Sequence, residues 1–346
     1  MYSFMNDYSE GAHPRVLELL LSSNYEQNIG YGEDIHSERS KEYIRKLIKK
    51  TNADIHYIPG GTITNLIVIS ALLRPHQCVV SADTGHINVH ETGAIEATGH
   101  KVVSVPTKEG KLTPQAIQTV LDYHSDEHMV QPKMVYISNS TELGTIYTKS
   151  ELVAIADICM KNQLLLYLDG ARIGTALMAK ENDLTLEDIA NLVDIFYIGG
   201  TKNGALLGEA LVICKDYLKE DFRYLIKQRG ALMAKGFVMG IQFEALFQDD
   251  LFFRLAGHAN KMAERIARAL KEKGYSFYVE PCTNQLFPIL PYHTLEQLAK
   301  NFNFSIQEKI NEDKTVIRLV TSWATSQDGV DSLIEFLSNI KENNRS

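Results

Sequence analysis

Residues 164–213 read LLLYLDGARIGTALMAKENDLTLEDIANLVDIFYIGGTKNGALLGEALVI, and this segment carries the strongest indication of the fold class. It contains three apolar runs of strand length and two helix-like segments between the first two runs. The runs cover 164–168, 194–198 and 209–213, and the helix-like segments cover 172–179 and 186–192. This alternation is typical of crossover units in a parallel sheet. Such sheets bind ligands beyond the carboxyl ends of their strands, where Asp169 and Lys202 both stand.

Lys202 and Asp169 together suit pyridoxal phosphate. This cofactor needs a lysine amine for a Schiff base and an acid that keeps the pyridine nitrogen protonated. Lysine suits the task because its pKa falls readily on burial, which frees the amine as a nucleophile. Taken singly, Lys202 could be an exposed hairpin lysine beside Asn203-Gly204, and Asp169 could be a helix N-cap. Their places at successive strand ends, each after an apolar run, favour the cofactor.

A candidate phosphate site lies at Gly60-Gly61-Thr62, between a predicted strand at 54–58 and a predicted apolar helix at 63–73. A glycine pair at a helix start lets backbone N–H groups approach an anion, which the helix dipole also favours. A tight strand-to-helix turn explains the same residues equally well. The sequence has neither GxGxxG after a strand nor GxxxxGK[ST], so it predicts neither a dinucleotide fold nor a P-loop.

The motif LDGAR at 168–172, followed by a strand and a lysine loop, resembles the threonine aldolase and β-eliminating lyase family, as do GGTITN at 60–65 and RLVT at 318–321. The resemblance runs over nearly the whole chain, from Asn6-Asp7 to the final helix. It implies an α/β fold of the pyridoxal-phosphate transferase type, fold type I. Such a fold has a large, doubly wound, mostly parallel sheet domain and a smaller α/β domain at the C-terminus.

The resemblance also implies roles for single residues. Lys202 would carry the cofactor, Asp169 would hold its ring nitrogen and His86 would stack on its ring. The implied cofactor-binding set is Gly61, Thr62, His86, Asp169, Arg172, Thr201 and Lys202, and the implied substrate-binding set is Asn6, Tyr31, Arg172 and Arg318.

Several of these residues also have ordinary interpretations. His86 could be a polar loop residue, Arg172 a surface arginine at a helix start, and Tyr31 a loop tyrosine. Arg318 lies in the apolar strand VIRLVT, where an arginine is costly unless paired. Its planar fork matches a carboxylate, and a structural salt bridge is the alternative to substrate binding.

The chain departs from the family after the strand VYIS. Family members commonly read ENTHN there, whereas this chain reads SNSTELG, with Thr141 at the histidine position and Glu142 beside it. Threonine is too weak a base to take the β-hydroxyl proton. Glu142 could do so if burial raises its pKa, or an ordered water could, whereas a solvent-facing Glu142 would have no such role. We expect a retained aldolase activity with a preference shifted from threonine, toward bulkier side chains.

The amino-acid composition limits which partners, locations and metal sites are expected for this chain. Lys and Arg total 35 against 43 Asp and Glu, a formal charge of −8 without a long basic run, so a nucleic-acid partner is not expected. The apolar stretches are too short to cross a bilayer, and the first ten residues do not resemble a signal peptide. Four separated cysteines without CxxC spacing fit a reducing cytoplasm. No metal-ligand cluster is apparent.

We therefore expect a large cofactor domain at 15–250 and a small domain at 251–346 that includes 1–14. Within them, a helix through 91–97 and a strand at 275–279 are predicted. The expected enzyme is a pyridoxal-phosphate-dependent lyase that cleaves a β-hydroxy-α-amino acid to glycine and an aldehyde. It would work as a homodimer or homotetramer with shared active sites. β-Elimination, transamination, a non-catalytic cofactor-binding protein and an α/β binding protein without this cofactor remain the alternatives.

Overall fold

The computed structural model describes residues 1–340. Thirteen α-helices lie in this part of the chain: α1 (Pro14–Ser22), α2 (Ile35–Ile48), α3 (Gly61–Leu72), α4 (His86–Val89), α5 (Pro114–Tyr123), α6 (Lys149–Lys161), α7 (Ile173–Leu177), α8 (Leu186–Leu192), α9 (Phe222–Gln228), α10 (Phe237–Phe247), α11 (Leu251–Glu272), α12 (Tyr292–Leu298) and α13 (Gln327–Asn339). Its strands are β1 (Tyr2–Ser3), β2 (Asp54–Ile58), β3 (Gln77–Ala82), β4 (Lys101–Val105), β5 (Gln131–Ser138), β6 (Leu165–Asp169), β7 (Ile195–Gly199), β8 (Glu209–Ile213), β9 (Gln285–Leu286), β10 (Ile289–Pro291), β11 (Phe302–Asn303), β12 (Ser305–Lys309) and β13 (Lys314–Val320).

A seven-stranded sheet forms the centre of the molecule, in the order β2-β8-β7-β6-β5-β3-β4. The strands from β7 to β4 run parallel, whereas β8 is antiparallel to both of its neighbours. Every residue of β6, β7 and β8 is buried. Strands that are covered on both faces consist of continuous apolar runs. This is why the apolar runs within residues 164–213 could be predicted as strands of such a sheet.

The two faces of the sheet pack into different cores. Leu166 and Leu168 of β6 belong to one cluster of buried side chains, and Leu165 and Tyr167 belong to the other. This follows from the alternation of side chains along a strand. The polar residues at the strand ends are therefore held between two rigid apolar layers.

The registers of two strand pairs bring distant residues together at one edge of the sheet. Ser138, the last residue of β5, is the partner of Asp169, the last residue of β6. Gly199, the last residue of β7, is the partner of Glu209, the first residue of β8. The segments that leave these strands, after Ser138, Asp169 and Gly199, therefore begin side by side.

The C-terminal part has a smaller antiparallel sheet, β10-β13-β12, with β9 also paired to β13. A third core lies there, and Phe4 joins it from the N-terminal segment. Helix α11 contributes to two cores, with Phe252 in the first and Met262 in the third. The domain boundary at residue 251 stays a prediction, and residues 341–346 of the expected small domain lie outside the described part.

Two sequence-based expectations about local structure are wrong. The helix predicted through 91–97 is replaced by turns and a short 3-10 segment at Glu96–Thr98, because Thr92 and Gly93 take positive φ values of 52° and 70°. The strand predicted at 275–279 is reduced to one bridge between Phe277 and Pro288. A proline has no N–H to continue the ladder.

Within residues 1–340, we find no helix with the length and apolar character that crossing a membrane requires.

Candidate active site

A cavity of about 290 Å³ opens at the carboxyl ends of β5, β6 and β7. Most of the predicted site residues line it, and so do several that the sequence did not single out. The predicted residues at the cavity are Gly61, Thr62, His86, Glu142, Asp169, Arg172, Thr201 and Lys202, and the additional ones include Tyr8, Ser138, Ser140, Tyr197 and Glu209. An adjoining cavity of about 600 Å³ shares His86, Glu142, Arg172 and Lys202 with it and adds Arg318.

Lys202 lies in the connection between β7 and β8, and its side chain faces this cavity. The next residue anchors the connection, since the Asn203 amide donates to the carbonyl oxygen of Phe252 at 2.8 Å. Burial, followed by the positive charge of Arg172, lowers the pKa of Lys202 against the opposing pull of nearby carboxylates. A lysine whose pKa is lowered in this way provides a neutral amine more readily than an exposed one.

Asp169 is held in the cavity by uncharged donors. The hydroxyl groups of Tyr136 and Tyr197 donate to its carboxylate at 2.6 and 2.5 Å, and the backbone N–H of Ala171 donates at 2.9 Å. Burial raises the pKa of Asp169, but the charge of His86 and the two tyrosine hydrogen bonds outweigh burial, so the net shift is downward. Asp169 is therefore an ionised carboxylate that neither lysine nor arginine contacts directly through these bonds.

His86 is oriented by a buried carboxylate. Its Nδ1 lies 2.7 Å from Oε1 of Glu91, whose side chain is fully buried. The same Glu91 oxygen accepts from the Asn65 amide at 2.7 Å, and that amide also reaches Asp169 at 3.3 Å. His86 and Asp169 are thus connected through Asn65 and Glu91.

Arg172 makes an ion pair inside the protein. Its Nε and one terminal nitrogen donate to the two oxygens of Asp7 at 2.7 and 3.0 Å, and the Asn284 amide adds a third bond at 3.0 Å. Asp7 is 1 % exposed. Burial raises the pKa of Asp7, but the charges of Arg172 and Lys202 lower it by more than burial raises it. The net shift is downward, so the carboxyl is ionised. The guanidinium of Arg172 is therefore already committed to a carboxylate of the same chain.

Arg318 differs from Arg172, because no carboxylate in the described part of the chain forms an ion pair with it. It lies on β13 opposite Ser305 and faces the adjoining cavity. Its buried Nε has no hydrogen-bond acceptor among residues 1–340. Burial and the nearby charge of Arg172 lower its pKa. An unsatisfied buried guanidinium nitrogen is costly, and a ligand carboxylate would satisfy it.

Glu142 faces the cavity and does not lie in a solvent loop. Its Oε1 accepts from the Ser138 hydroxyl at 2.7 Å and from the backbone N–H of His86 at 2.9 Å. Burial raises the pKa of Glu142, and the charge of Asp169 adds to the effect. Thr141 is instead buried, with its hydroxyl bonded to that of Thr145 at 2.7 Å, so it offers no base to the cavity.

The N-terminus of helix α3 supplies backbone donors to the same cavity. Its N-cap residue Gly60 has no side chain to bond the first N–H groups, and Gly61 and Thr62 line the cavity. Free N–H groups at a helix N-terminus bind anions. Thr201 is less available, because its hydroxyl donates to Glu209 at 2.8 Å and accepts from the Gly208 N–H at 3.0 Å.

Two predicted residues, Asn6 and Tyr31, line neither cavity. The Asn6 side chain bonds the backbone N–H of Tyr8 and the hydroxyl of Ser9, both at 2.9 Å. Tyr31 is 42 % exposed on the surface, with the Lys227 ammonium 4.7 Å from its ring centroid. Their substrate-binding roles stay predictions.

Comparisons with known proteins agree with this geometry. The family described as β-eliminating lyases matches residues 21–290. The chain is 32% identical to a low specificity L-threonine aldolase of Pseudomonas aeruginosa over 308 residues, 87% of this chain and 88% of the relative. The chain belongs to the β-eliminating lyase family. A solved structure of Leishmania major threonine aldolase matches with 49% identity and a TM-score of 0.97, over 98% of this chain and 99% of that one.

The fold expectation is also confirmed. An aspartate aminotransferase from Thermus thermophilus, at 13% identity, superimposes with a TM-score of 0.73 over 98% of this chain. At that identity the likeness concerns the fold alone, which is fold type I.

The cavity of this β-eliminating lyase family member fits pyridoxal phosphate. It combines a lysine with a lowered pKa, an ionised Asp169 and a helix N-terminus without a side-chain cap. In addition, the buried hydroxyl of Ser140 lines the cavity without a hydrogen-bond partner among the described residues. These are an amine, an acid for a ring nitrogen and donors for a phosphate, which are the groups that the cofactor needs.

Sequence reasoning missed four residues that shape the site: Asp7, Tyr136, Tyr197 and Glu209. The two tyrosines had a usable signal, since a tyrosine inside a buried strand needs a partner for its hydroxyl. Glu209 had a similar one, because it opens an apolar strand. Asp7 had none, because its partner Arg172 is 165 residues away in sequence.

Proposed function

We propose that this chain is a pyridoxal-phosphate-dependent carbon–carbon lyase that cleaves β-hydroxy-α-amino acids, such as L-threonine or L-allo-threonine, to glycine and an aldehyde. The observation that carries the proposal is that Lys202 and Asp169 line one cavity, which Glu142 also lines and which adjoins a second cavity lined by Arg318. Membership in the β-eliminating lyase family and the named aldolase relatives support the same reaction class.

Pyridoxal phosphate, when bound, supplies a protonated ring that accepts the electrons released at the substrate α-carbon. Lys202 would hold the cofactor covalently, because burial makes its amine available as a nucleophile. Asp169 would keep the proton on the ring nitrogen, since its own pKa is lowered. The N–H groups of Gly61 and Thr62 would bind the phosphate, and His86 would lie against the ring.

Arg318 would bind the α-carboxylate of the substrate. Its buried Nε lacks an acceptor among residues 1–340, and a carboxylate can take two parallel hydrogen bonds from a guanidinium. Arg172 is the weaker candidate, because both oxygens of Asp7 already occupy its fork. We propose that Arg172 instead shapes the wall against which the substrate lies.

Glu142 would take the β-hydroxyl proton as the carbon–carbon bond breaks. Its Oε1 is held by Ser138 and by the backbone of His86, which leaves Oε2 for the substrate. A carboxylate whose pKa is raised by burial is a stronger base than an exposed one. The adjoining cavity of about 600 Å³ leaves room for β-substituents larger than methyl.

A second copy of the chain would complete the enzyme. The segment from Leu17 to Ile35 exposes several large apolar side chains: Leu17, Leu21, Tyr25, Ile29, Tyr31 and Ile35. Clustered apolar exposure of this kind marks an interaction surface. We propose a homodimer or homotetramer in which this segment, with Tyr31, contributes to the active site of another copy. We also propose that the enzyme is cytoplasmic. Sedimentation that shows a monomer would contradict the shared site.

The decisive experiment combines labelling and product analysis. We expect purified protein to be yellow, and borohydride reduction followed by peptide mapping to find the cofactor on Lys202 alone. With threonine, allo-threonine and phenylserine, it should release glycine and the matching aldehyde. A label on another lysine would refute the role of Lys202. Keto-acid products without aldehyde would move the protein to β-elimination or transamination, and no turnover of any amino acid would favour a non-catalytic binding protein.

A further inference from the structure

Glu209 is a buried carboxylate beside Lys202 that the proposed chemistry has not used. It opens β8, is 4 % exposed and lines the cavity. Burying a carboxylate is costly unless hydrogen bonds or charges compensate it. The hydrogen bonds and the positive charge that compensate the burial of Glu209 come from the segment that carries Lys202.

Both oxygens of Glu209 bind the residues just before Lys202. Oε2 accepts from the backbone N–H of Gly200 at 3.0 Å, and Oε1 accepts from the hydroxyl of Thr201 at 2.8 Å. The Thr201 hydroxyl in turn accepts from the Gly208 N–H at 3.0 Å. The carboxylate therefore ties the beginning of the Lys202 connection to its end.

The backbone closes the same loop independently. The N–H groups of Gly200 and Thr201 donate to the carbonyl oxygen of Gly208 at 3.0 and 3.2 Å. Gly208 has a positive φ of 114°, which a residue with a side chain rarely adopts. The backbone and the Glu209 carboxylate therefore hold the same loop, and the carboxylate, when it is ionised, adds a negative charge that the backbone does not supply.

The charge of Glu209 acts on Lys202. Lys202 is the cation that favours the ionised form of Glu209, and Glu209 stands with Asp7 and Asp169 among the carboxylates that favour the ammonium form of Lys202. Burial raises the pKa of Glu209 to about 7, against the Thr201 hydrogen bond and the Lys202 charge. Asp169, Tyr167 and Tyr197 are the other titratable groups that interact with it.

We propose that Glu209 is a positioning residue for Lys202, which orders the start of the lysine loop through both oxygens and supplies negative charge that stabilises a cationic Lys202 nitrogen. The proposal rests on the proposed function only in taking Lys202 as the lysine that carries the cofactor. A purely structural Glu209 would affect folding but not the protonation of Lys202. The two roles therefore differ in a measurable quantity.

The test is a pH titration of the Lys202 nitrogen in the full-length holoenzyme, read from the visible absorption of the bound cofactor. Glu209→Gln keeps the size of the side chain and removes the charge. We expect the titration to move to lower pH by about 1 unit, the low end of the effect of a nearby charge. Glu209→Asp keeps the charge and should stay near the parent curve. Glu187→Gln, which removes a surface carboxylate paired with Lys49, is the control and should not move it.

Two further measurements apply if the holoenzyme cannot be prepared or if Glu209→Gln does not fold. Without cofactor, the pH dependence of amine-reagent labelling at Lys202 should show the same downward shift in Glu209→Gln. If that variant does not fold, Lys202→Met replaces it, because coupling between two titrating groups is reciprocal. Carbon-13 NMR should then show the Glu209 carboxyl titrating at higher pH than in the parent. An unmoved Lys202 titration in folded Glu209→Gln, or an unmoved Glu209 titration in Lys202→Met, would overturn the proposal even if the aldolase assignment holds.

Discussion

Four charged side chains lie in or beside the two adjoining cavities, and they are held in two different ways. Asp7 and Arg172 are bonded to each other through both oxygens and two guanidinium nitrogens, at 2.7 and 3.0 Å. Within the described part of the chain, neither Asp169 nor Arg318 forms an ion pair of this kind. The donors to Asp169 are tyrosine hydroxyls and amides, and Arg318 has an Nε without an acceptor among the described residues.

The difference separates charges that build the protein from charges that remain for a ligand. A buried ion pair satisfies itself, and its removal is felt in stability. A buried charge whose hydrogen bonds come only from neutral groups can still pair with an opposite charge brought by a ligand, and its removal is felt in binding or catalysis. Asp169 would meet the cationic ring nitrogen of the cofactor, and Arg318 the carboxylate of the substrate. Substitutions of these residues and of Glu142 should separate the two kinds of charge.

The largest effect is expected at Asp169. Asp169→Asn should cut turnover by several orders of magnitude, because a neutral ring is a poor electron acceptor. The variant should still attach cofactor to Lys202, although it should lose it more easily on dialysis, since a charge-assisted hydrogen bond is gone. Turnover is measured as aldehyde release from threonine and phenylserine. Near-parent turnover in a folded, cofactor-loaded variant would place Asp169 with the structural charges.

Glu142 should have the next largest effect. Its pKa is raised, in contrast to Asp7 and Asp169. Only the ionised form is a base, so the rate should fall as the pH drops through the pKa of Glu142, which burial raises. Glu142→Gln should lower turnover by about 100-fold or more, the contribution of a general base, and should abolish this acid limb. An unchanged rate and pH profile would remove Glu142 from the mechanism in favour of an ordered water.

The same contrast explains which parts of the site could be predicted from the sequence. The placement of Asp169 and Lys202 at one cavity was predictable, because strand ends in a parallel sheet converge and a local pattern sufficed. The placement of Gly61 and Thr62 there was predictable from a helix start, whereas the roles of all four residues stay predictions. The Asp7–Arg172 pair was not, since it depends on how the N-terminal segment folds back over the large sheet. The helix expected through 91–97 failed for a local reason, namely the positive φ of Thr92, which no periodicity reveals.

Asp7 should matter to stability. Asp7→Asn leaves the buried guanidinium of Arg172 without its counter-charge, which should cost about 3–5 kcal/mol in denaturant unfolding. Asp7→Leu combined with Arg172→Met should recover much of this loss, because it removes both charges.

Folding lowers the pKa of Asp7. Its contribution to the free energy of unfolding is therefore present above the unfolded-state pKa and is lost as the pH falls through the folded-state pKa. The stability of Asp7→Asn should therefore depend less on acid pH than that of the parent.

Arg318 should give the smallest effect and the sharpest comparison with Arg172. Arg318→Lys keeps a positive charge but loses the planar fork that bonds a carboxylate at two points. Substrate binding should weaken by roughly 1.5–3 kcal/mol, the scale of a hydrogen bond to a charged group. Stability should change little, because Arg318 has no ion pair to lose within residues 1–340. The measurement is the glycine concentration that half-saturates the spectral change of the bound cofactor, alongside denaturant unfolding. The reverse result, with unchanged glycine binding and a large loss of stability, would mean that Arg318 belongs with Arg172 among the charges that build the protein. The substrate carboxylate would then have to be bound by another group.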